Sequence, residues 1–145
     1  MKIIVDADAC PVKKIIEKTA AKYHLEVIMV SNYHHQIDST YATVMIADGQ
    51  SQAADVMIAN QTRAGDIVVT QDYGLAAIIL GRHAYALHPQ GHRFTDANIE
   101  GLLMKRYENQ KARQAGKRIA GPRKRTQQDD QHFAQQLEEL IQALR

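Results

Sequence analysis

Short apolar runs alternate with stretches of helical periodicity along most of the chain, and this alternation constrains the fold more than any single motif. Residues 2–5 form an apolar run that stops at acids, the pattern of a buried strand. Pro11 suits the first turn of a helix, where its missing N–H would be unpaired anyway. Val12, Ile15, Ile16 and Thr19-Ala20 then recur at helical spacing. Residues 26–30 read as a second strand, and a polar stretch from Ser31 to Tyr41, with Asn32, His34 and His35, reads as a loop. Residues 42–46 give a third strand, and Asp48-Gly49-Gln50 a turn. Ala53, Ala54, Met57 and Ile58 make a helical stripe that Gly65-Asp66 breaks. Ile67-Val68-Val69 is the fourth strand, Leu75, Ile78 and Ile79 lie on a helix ended by Gly81, and residues 84–87 are a weak fifth strand. Thr95 is placed to cap a helix running from Asp96 past Leu103. Strands alternating with helices predict an α/β fold with a mainly parallel sheet of about five strands.

The last forty residues differ in character. Gly116 to Gln131 is polar and contains Gly121-Pro122, which reads as a surface loop. A C-terminal helix over residues 129–144 follows, with Phe133, Leu137, Leu140, Ile141 and Leu144 forming the stripe that docks it on the body. At 145 residues the chain is one domain's worth, and no second domain is required. Apolar residues at 45% exclude a wholly disordered chain, and no run of about 18 apolar residues suggests a membrane span. The acid at position 6 cuts the first apolar run too short for a secretion signal. With Cys10 as its single cysteine the chain forms no internal disulfide, so a reducing, cytoplasmic setting is expected.

A formal net charge of +2 conceals a strong asymmetry. Residues 105–125 hold nine basic side chains against the single acid Glu108, a net of +8, while 1–104 and 126–145 each carry −3. A basic segment beside an acidic body points to a polyanionic partner, nucleic acid or another phosphate-rich molecule; the plain alternative is a solvated basic helix and loop.

The acids gather where strands end. Asp6 and Asp8 follow the first strand, and Asp72 follows the fourth behind Thr70 and Gln71. In open parallel sheets ligands collect beyond the carboxyl ends of strands, at the switch in strand order. If the first and fourth strands are neighbours, Asp6, Asp8 and Asp72 converge, and Asp55 on the preceding helix can reach the same place. Two carboxylates about 4 Å apart repel by roughly 4 kcal/mol at an effective dielectric of 20, so protons or cations must relieve them. Hard oxygen donors favour Mg²⁺ or Mn²⁺. Such an ion polarises a phosphodiester and acidifies its bound water, which makes metal-dependent phosphodiester cleavage the leading expectation. Each acid also has a plain structural explanation: Asp8 as cap of the helix near Pro11, Asp72 as cap of the helix carrying Leu75, Asp66 and Asp48 as turn residues.

The segment Asp6-Ala7-Asp8-Ala9-Cys10-Pro11-Val12-Lys13 resembles the opening of the YaiI/YqxD family of bacterial proteins. Ala53-Ala54-Asp55 and Gly65-Asp66-Ile67-Val68-Val69-Thr70-Gln71-Asp72 resemble its middle, and Arg113-Gln114-Ala115-Gly116 with Gly121-Pro122-Arg123 its basic tail. The match is collinear over nearly the whole chain. That family looks like a branch of the PIN-like nuclease superfamily. The resemblance implies a Rossmann-like three-layer sandwich and a Mg²⁺ or Mn²⁺ site of Asp6, Asp55 and Asp72, with Asp8 as a further acid of this family. Ribonuclease action extends from the superfamily. The chain departs from the pattern at Gln52, where relatives often carry an acid; a neutral amide is a weaker Mg²⁺ ligand, which leaves one or two metals open.

Around this core lie secondary candidates. Lys13, with Arg113, Lys117, Arg118 and Arg123 of the tail, is an expected contact to phosphate, and Thr70 is placed to hydrogen-bond a metal ligand or a phosphate. His34 and His35 are placed to line the cleft, and Cys10 reads as a small buried residue rather than a catalytic thiol. Two further readings stand beside the nuclease. One is a nucleic-acid binder without catalysis; the other is a haloacid-dehalogenase-like phosphatase, suggested by Ile4-Val5-Asp6-Ala7-Asp8, with Asp6 as nucleophile and Asp8 as general acid. RNA is the expected partner and a membrane is not; a homo-oligomer is left open.

Overall fold

The side chains of β1 (Lys2–Asp6) alternate between two apolar layers, Ile3 and Val5 into one and Ile4 into the other. A strand covered on both faces needs apolar residues at odd and even positions alike, which is why this run is continuous rather than alternating. The structure, a computed structural model, describes residues 1–8, 10–32, 37–48, 52–119, 121 and 123–145. Its elements follow in the order β1, α1 (Lys13–Lys22), β2 (Glu26–Asn32), β3 (Thr43–Ala47), α2 (Ala53–Gln61), β4 (Ile67–Val69), α3 (Tyr73–Gly81), β5 (Tyr85–Leu87), β6 (Arg93–Phe94), α4 (Ile99–Gln114) and α5 (Gln127–Leu144). They form a six-stranded sheet in the order β3-β2-β1-β4-β5-β6. All neighbouring pairs are parallel except β5 with β6.

The layers are those expected of an α/β/α sandwich. On one face, Val12, Ile16 and Ala20 near and within α1 and Phe133, Leu137, Leu140 and Ile141 of α5 pack on Ile3, Val5, Val27, Met29, Ile67 and Val69. On the other, Ile58 of α2, Leu75, Ala76 and Ile79 of α3 and Ile99 of α4 pack on Ile4, Ile28, Val30 and Val68. Full burial of each large side chain removes enough apolar surface to contribute roughly 1.5–3 kcal/mol. Polar contacts then fix the edges of the layers. Asp66, buried before β4, accepts from the Lys2 backbone N–H at 3.1 Å, from Lys2 Nζ at 2.6 Å and from the Arg63 N–H at 2.8 Å. It thereby clamps the start of β1 to the start of β4, the structural role expected of it. On the far side of the sheet, Glu138 of α5 accepts from Lys22 and from the Tyr23 hydroxyl at the end of α1.

Several boundaries differ from expectation. Asp6 is the last residue of β1 rather than the first beyond it, and β2 runs on through Ser31 to Asn32. The third strand lies one residue later than expected, and α1 begins at Lys13 with Val12 as its cap. The sixth strand has only two residues, too few for any alternation to show. The helix expected from Asp96 begins at Ile99, because Thr95 and Asn98 exchange side-chain and backbone hydrogen bonds at 2.9 and 3.2 Å in the turn before it. The C-terminal helix begins at Gln127, ahead of the expected 129, because Thr126 and Asp129 form a capping box. Gly91 in the β5–β6 turn has φ +104°, and a Cβ there would run into the His132 ring of α5. His34, His35, Gly49-Gln50 and Pro122 fall outside the described residues. Among those described, no helix is long and apolar enough to cross a membrane.

Candidate functional site

The strand order reverses between β1 and β4, which are hydrogen-bonded neighbours with Val5 opposite Val69. Strand parity then decides which residues meet. Asp6 shares the face of Ile4, and Thr70, one residue past β4, shares the face of Val68, so both point toward the layer of α2, α3 and α4. Backbone pairing continues past the strands, with Ala7 N–H bonded to Val30 O at 2.9 Å and Thr70 N–H to Leu87 O at 3.1 Å, holding the strand ends in register.

Thr70 is the hinge of this arrangement. Its buried hydroxyl donates to Asp6 Oδ2 at 2.9 Å and accepts from the Asp72 N–H at 3.0 Å. Asp72 Oδ1 in turn accepts from the Leu75 N–H at 3.1 Å and so caps α3. Asp8 does not cap α1; its oxygens accept from Ser31 Oγ at 2.9 Å and from the Asn32 N–H at 3.1 Å, both from the end of β2.

These carboxylates act on one another. Burial raises the proton affinity of Asp6 above the usual carboxylate range, the Thr70 hydrogen bond opposes this, and the charges of Asp8 and Asp72 add to it. Asp55, on α2, is pushed up to about 6 by burial first, then by the charges of Asp72 and Asp6 and by a hydrogen bond shared with Asp72. Among the described residues no three Asp, Glu, His or Cys side chains stand ready to hold a metal ion together.

The acids form one wall of a cleft of about 530 Å³. Asp6, Asp8, Cys10, Gln71, Asp72, Tyr73 and Pro89 line it from the sheet side. The opposite wall is a single face of α4, with Leu102, Lys105, Arg106, Asn109 and Arg113. Steps of three and four residues put all five on one side of a helix. Arg106 Nη1 reaches to 3.6 Å from Asp72 Oδ1 across the cleft.

The expected site residues separate accordingly. Asp6, Asp8 and Asp72 line the cleft, and Asp55 joins them through Asp72. Arg113 lines it as well. Thr70 touches Asp6 rather than solvent, so it positions a carboxylate and is not exposed to a phosphate. Lys13 opens α1 and lines a different groove, beside Glu17 and Asp38. Lys117 and Arg118 are exposed beyond the end of α4 and are not among the lining residues. Arg123 is engaged in a two-pronged pair with Asp129, at 3.0 and 2.6 Å, within the start of α5. Cys10 is buried, and burial raises its thiol's proton affinity, which suits a packing residue and not a nucleophile. Gln52 is exposed and caps α2 without a side-chain hydrogen bond.

Sequence reasoning missed Lys105, Arg106 and Asn109 as cleft residues, and Ser31 as the support of Asp8. The first three carried a usable signal, since their spacing with Leu102 and Arg113 marks one helical face. Ser31 carried none: its contact depends on the lateral pairing of β1 with β2.

Comparison with known proteins gives one consistent answer. A family model described as "Uncharacterized BCR, YaiI/YqxD family" matches residues 4–143. The chain is 48% identical over 141 residues to the UPF0178 protein of Natranaerobius thermophilus, covering 97% of this chain and 96% of that one. It is 44% identical over 141 residues to the UPF0178 protein of Clostridium kluyveri, covering 97% and 93%. With the UPF0178 protein of Alkaliphilus oremlandii it shares 48% over 133 residues, covering 92% and 86%. No solved structure gives a significant match.

Proposed function

The chain belongs to the YaiI/YqxD family, and we propose that it is a divalent-metal-dependent phosphodiesterase of the PIN-like kind, acting on nucleic acid in the cytoplasm. The observation that carries this reading is the two-sided cleft, with carboxylates at the strand ends facing a row of cations from α4. Preference for RNA over DNA comes from the family resemblance alone. Asp6 and Asp72 would hold Mg²⁺ or Mn²⁺, with Asp8 and Asp55 as further oxygen donors. The donor chemistry fits, because Mg²⁺ commonly binds through one or two carboxylates, its own waters and substrate phosphate, and needs no ready-made trio. Such an ion, when bound, supplies charge against the phosphodiester and acidity to water.

The chain's own residues supply the rest. Thr70 fixes the Asp6 carboxylate by its 2.9 Å hydrogen bond. Asp55 has its proton affinity raised by burial and by the charges of Asp72 and Asp6, so a cation held by these acids would compete with a proton for it. Lys105, Arg106 and Arg113 offer cations to successive phosphates, which holds a backbone without reading its bases.

A second reading, binding without cleavage, draws on the hydrogen bonds that occupy Asp8 and Asp72 and on the neutral Gln52. The aspartyl-phosphate reading has less support, since Asp8, its general acid, already accepts from Ser31 and Asn32. The deciding experiment is a Mn²⁺-dependent cleavage panel over RNA, single-stranded DNA and small phosphate esters, run beside Asp6→Asn. Loss of an outer partner of a metal site costs about 10–100-fold, so loss of a carboxylate ligand is expected to cost at least about a hundredfold. The variant should keep its circular dichroism spectrum. Undiminished cleavage by Asp6→Asn overturns the assignment. Salt-sensitive binding with no cleavage in any metal selects the second reading.

A further inference from the structure

Arg106 differs from the other cations of the cleft in that it spans the gap. Its guanidinium stands 3.6 Å from Asp72 Oδ1, close enough for charge attraction but beyond hydrogen-bonding distance. A tight guanidinium–carboxylate pair would close to about 2.7–2.9 Å. Both partners are partly open to water, with side chains 55% and 34% exposed, so the pair is weak and easily parted. The Asp72 oxygen it faces is already bound to the Leu75 N–H, which keeps that carboxylate in place when the arginine leaves.

We propose, on the basis of the phosphodiesterase reading above, that Arg106 is a charge-operated latch that makes cation binding and phosphate binding cooperative. With the cleft unfilled, the guanidinium is the counter-charge of Asp72. A divalent cation arriving at Asp72 meets that positive group and must displace it. The displaced guanidinium stays tethered to α4 over the same cleft, where an incoming phosphodiester is the anion it can take up next. Each ligand therefore removes the arginine from the place where it opposes the other. Thermodynamic linkage makes the effect reciprocal: phosphate that holds Arg106 must tighten the cation by the same factor that the cation tightens phosphate. Arg113 lines the cleft on the same helical face, two turns further on, and among the described residues it makes no ion pair with these acids. It separates a latch from a general positive field.

The test is calorimetric titration of Mn²⁺ into the full chain, Arg106→Gln, Arg113→Gln and Asp6→Asn, with and without dimethyl phosphate, an inert phosphodiester. Exposed ion pairs are worth factors of roughly two to five, so Arg106→Gln is expected to bind Mn²⁺ about two- to fivefold more tightly than the unaltered chain. Arg113→Gln, which takes a positive charge from the cleft without parting an ion pair, should gain less Mn²⁺ affinity than Arg106→Gln. Dimethyl phosphate should tighten Mn²⁺ more on the unaltered chain than on Arg106→Gln, which keeps only the direct attraction between cation and phosphate. Equal Mn²⁺ affinity in the unaltered chain and Arg106→Gln overturns the latch, as does an equal gain in Arg113→Gln. If Mn²⁺ binds and Asp6→Asn abolishes it while Arg106→Gln changes nothing, the latch fails and the metal site stands. If Mn²⁺ binds to none of the chains, the phosphodiesterase reading falls and the latch with it.

Discussion

Asp6 and Asp66 are both aspartates at the margins of buried strands, yet their surroundings drive them in opposite directions. Asp6 has one hydroxyl donor and two acids for neighbours, so burial and repulsion raise its proton affinity. Asp66 is buried too, but Lys2 and two backbone N–H groups more than offset that burial and lower its proton affinity. A carboxyl whose affinity falls on folding stabilises the fold above its unfolded value near 4 and loses that contribution as pH drops further. Breaking a buried pair by removing one charge costs about 3–5 kcal/mol, and Asp66→Asn, which can keep one accepted hydrogen bond, is expected to cost about 2–4 kcal/mol at pH 7. In urea denaturation the gap between the two proteins should narrow as pH falls below about 4. A gap that is constant with pH would mean the Lys2 pair contributes little. The sequence shows Asp66 only as a turn residue, because its partner lies 64 positions away.

At the scale of elements, the helices best read from sequence were those with an apolar stripe, and the start of α5 shows the limit of that signal. Its stripe begins at Phe133, but the helix begins at Gln127 because the capping box closes over polar residues that carry no periodicity. Thr126→Ala removes the oxygen that accepts from the Asp129 N–H and should destabilise the protein by about 1 kcal/mol, read as a lower urea midpoint with an unchanged slope. An unchanged midpoint would show that docking against α1 alone sets where this helix starts. The Arg123–Asp129 pair belongs to the same corner, which is why an arginine that reads as a phosphate contact is here part of a helix start. Helix α4 is the converse case. Its basic residues read as one segment along the sequence, whereas only the face carrying Lys105, Arg106 and Arg113 overlies the acids.

For the whole molecule, that division of charge has a measurable consequence. Each phosphate neutralised on a single strand contributes about 0.7 to the slope of log affinity against log salt. Replacing Lys105, Arg106 and Arg113 together by Gln is expected to reduce that slope by about 2 for single-stranded RNA. Replacing Lys117 and Arg118, which lie beyond the end of α4, should reduce it by less. A larger loss from the second pair would move the nucleic-acid path away from the cleft and toward the tail. Sequence by itself determined the α/β class, the buried strands, the family and the acids at the strand ends, because apolar period, strand punctuation and motif are properties of neighbouring residues. Only the tertiary structure decided that Ser31 holds Asp8, that Asp55 comes within the field of Asp72 and Asp6, and that one face of α4 closes the cleft with Arg106 opposite an acid. Those contacts join elements far apart along the chain, and their geometry is set by how strands pair and layers pack rather than by any local pattern.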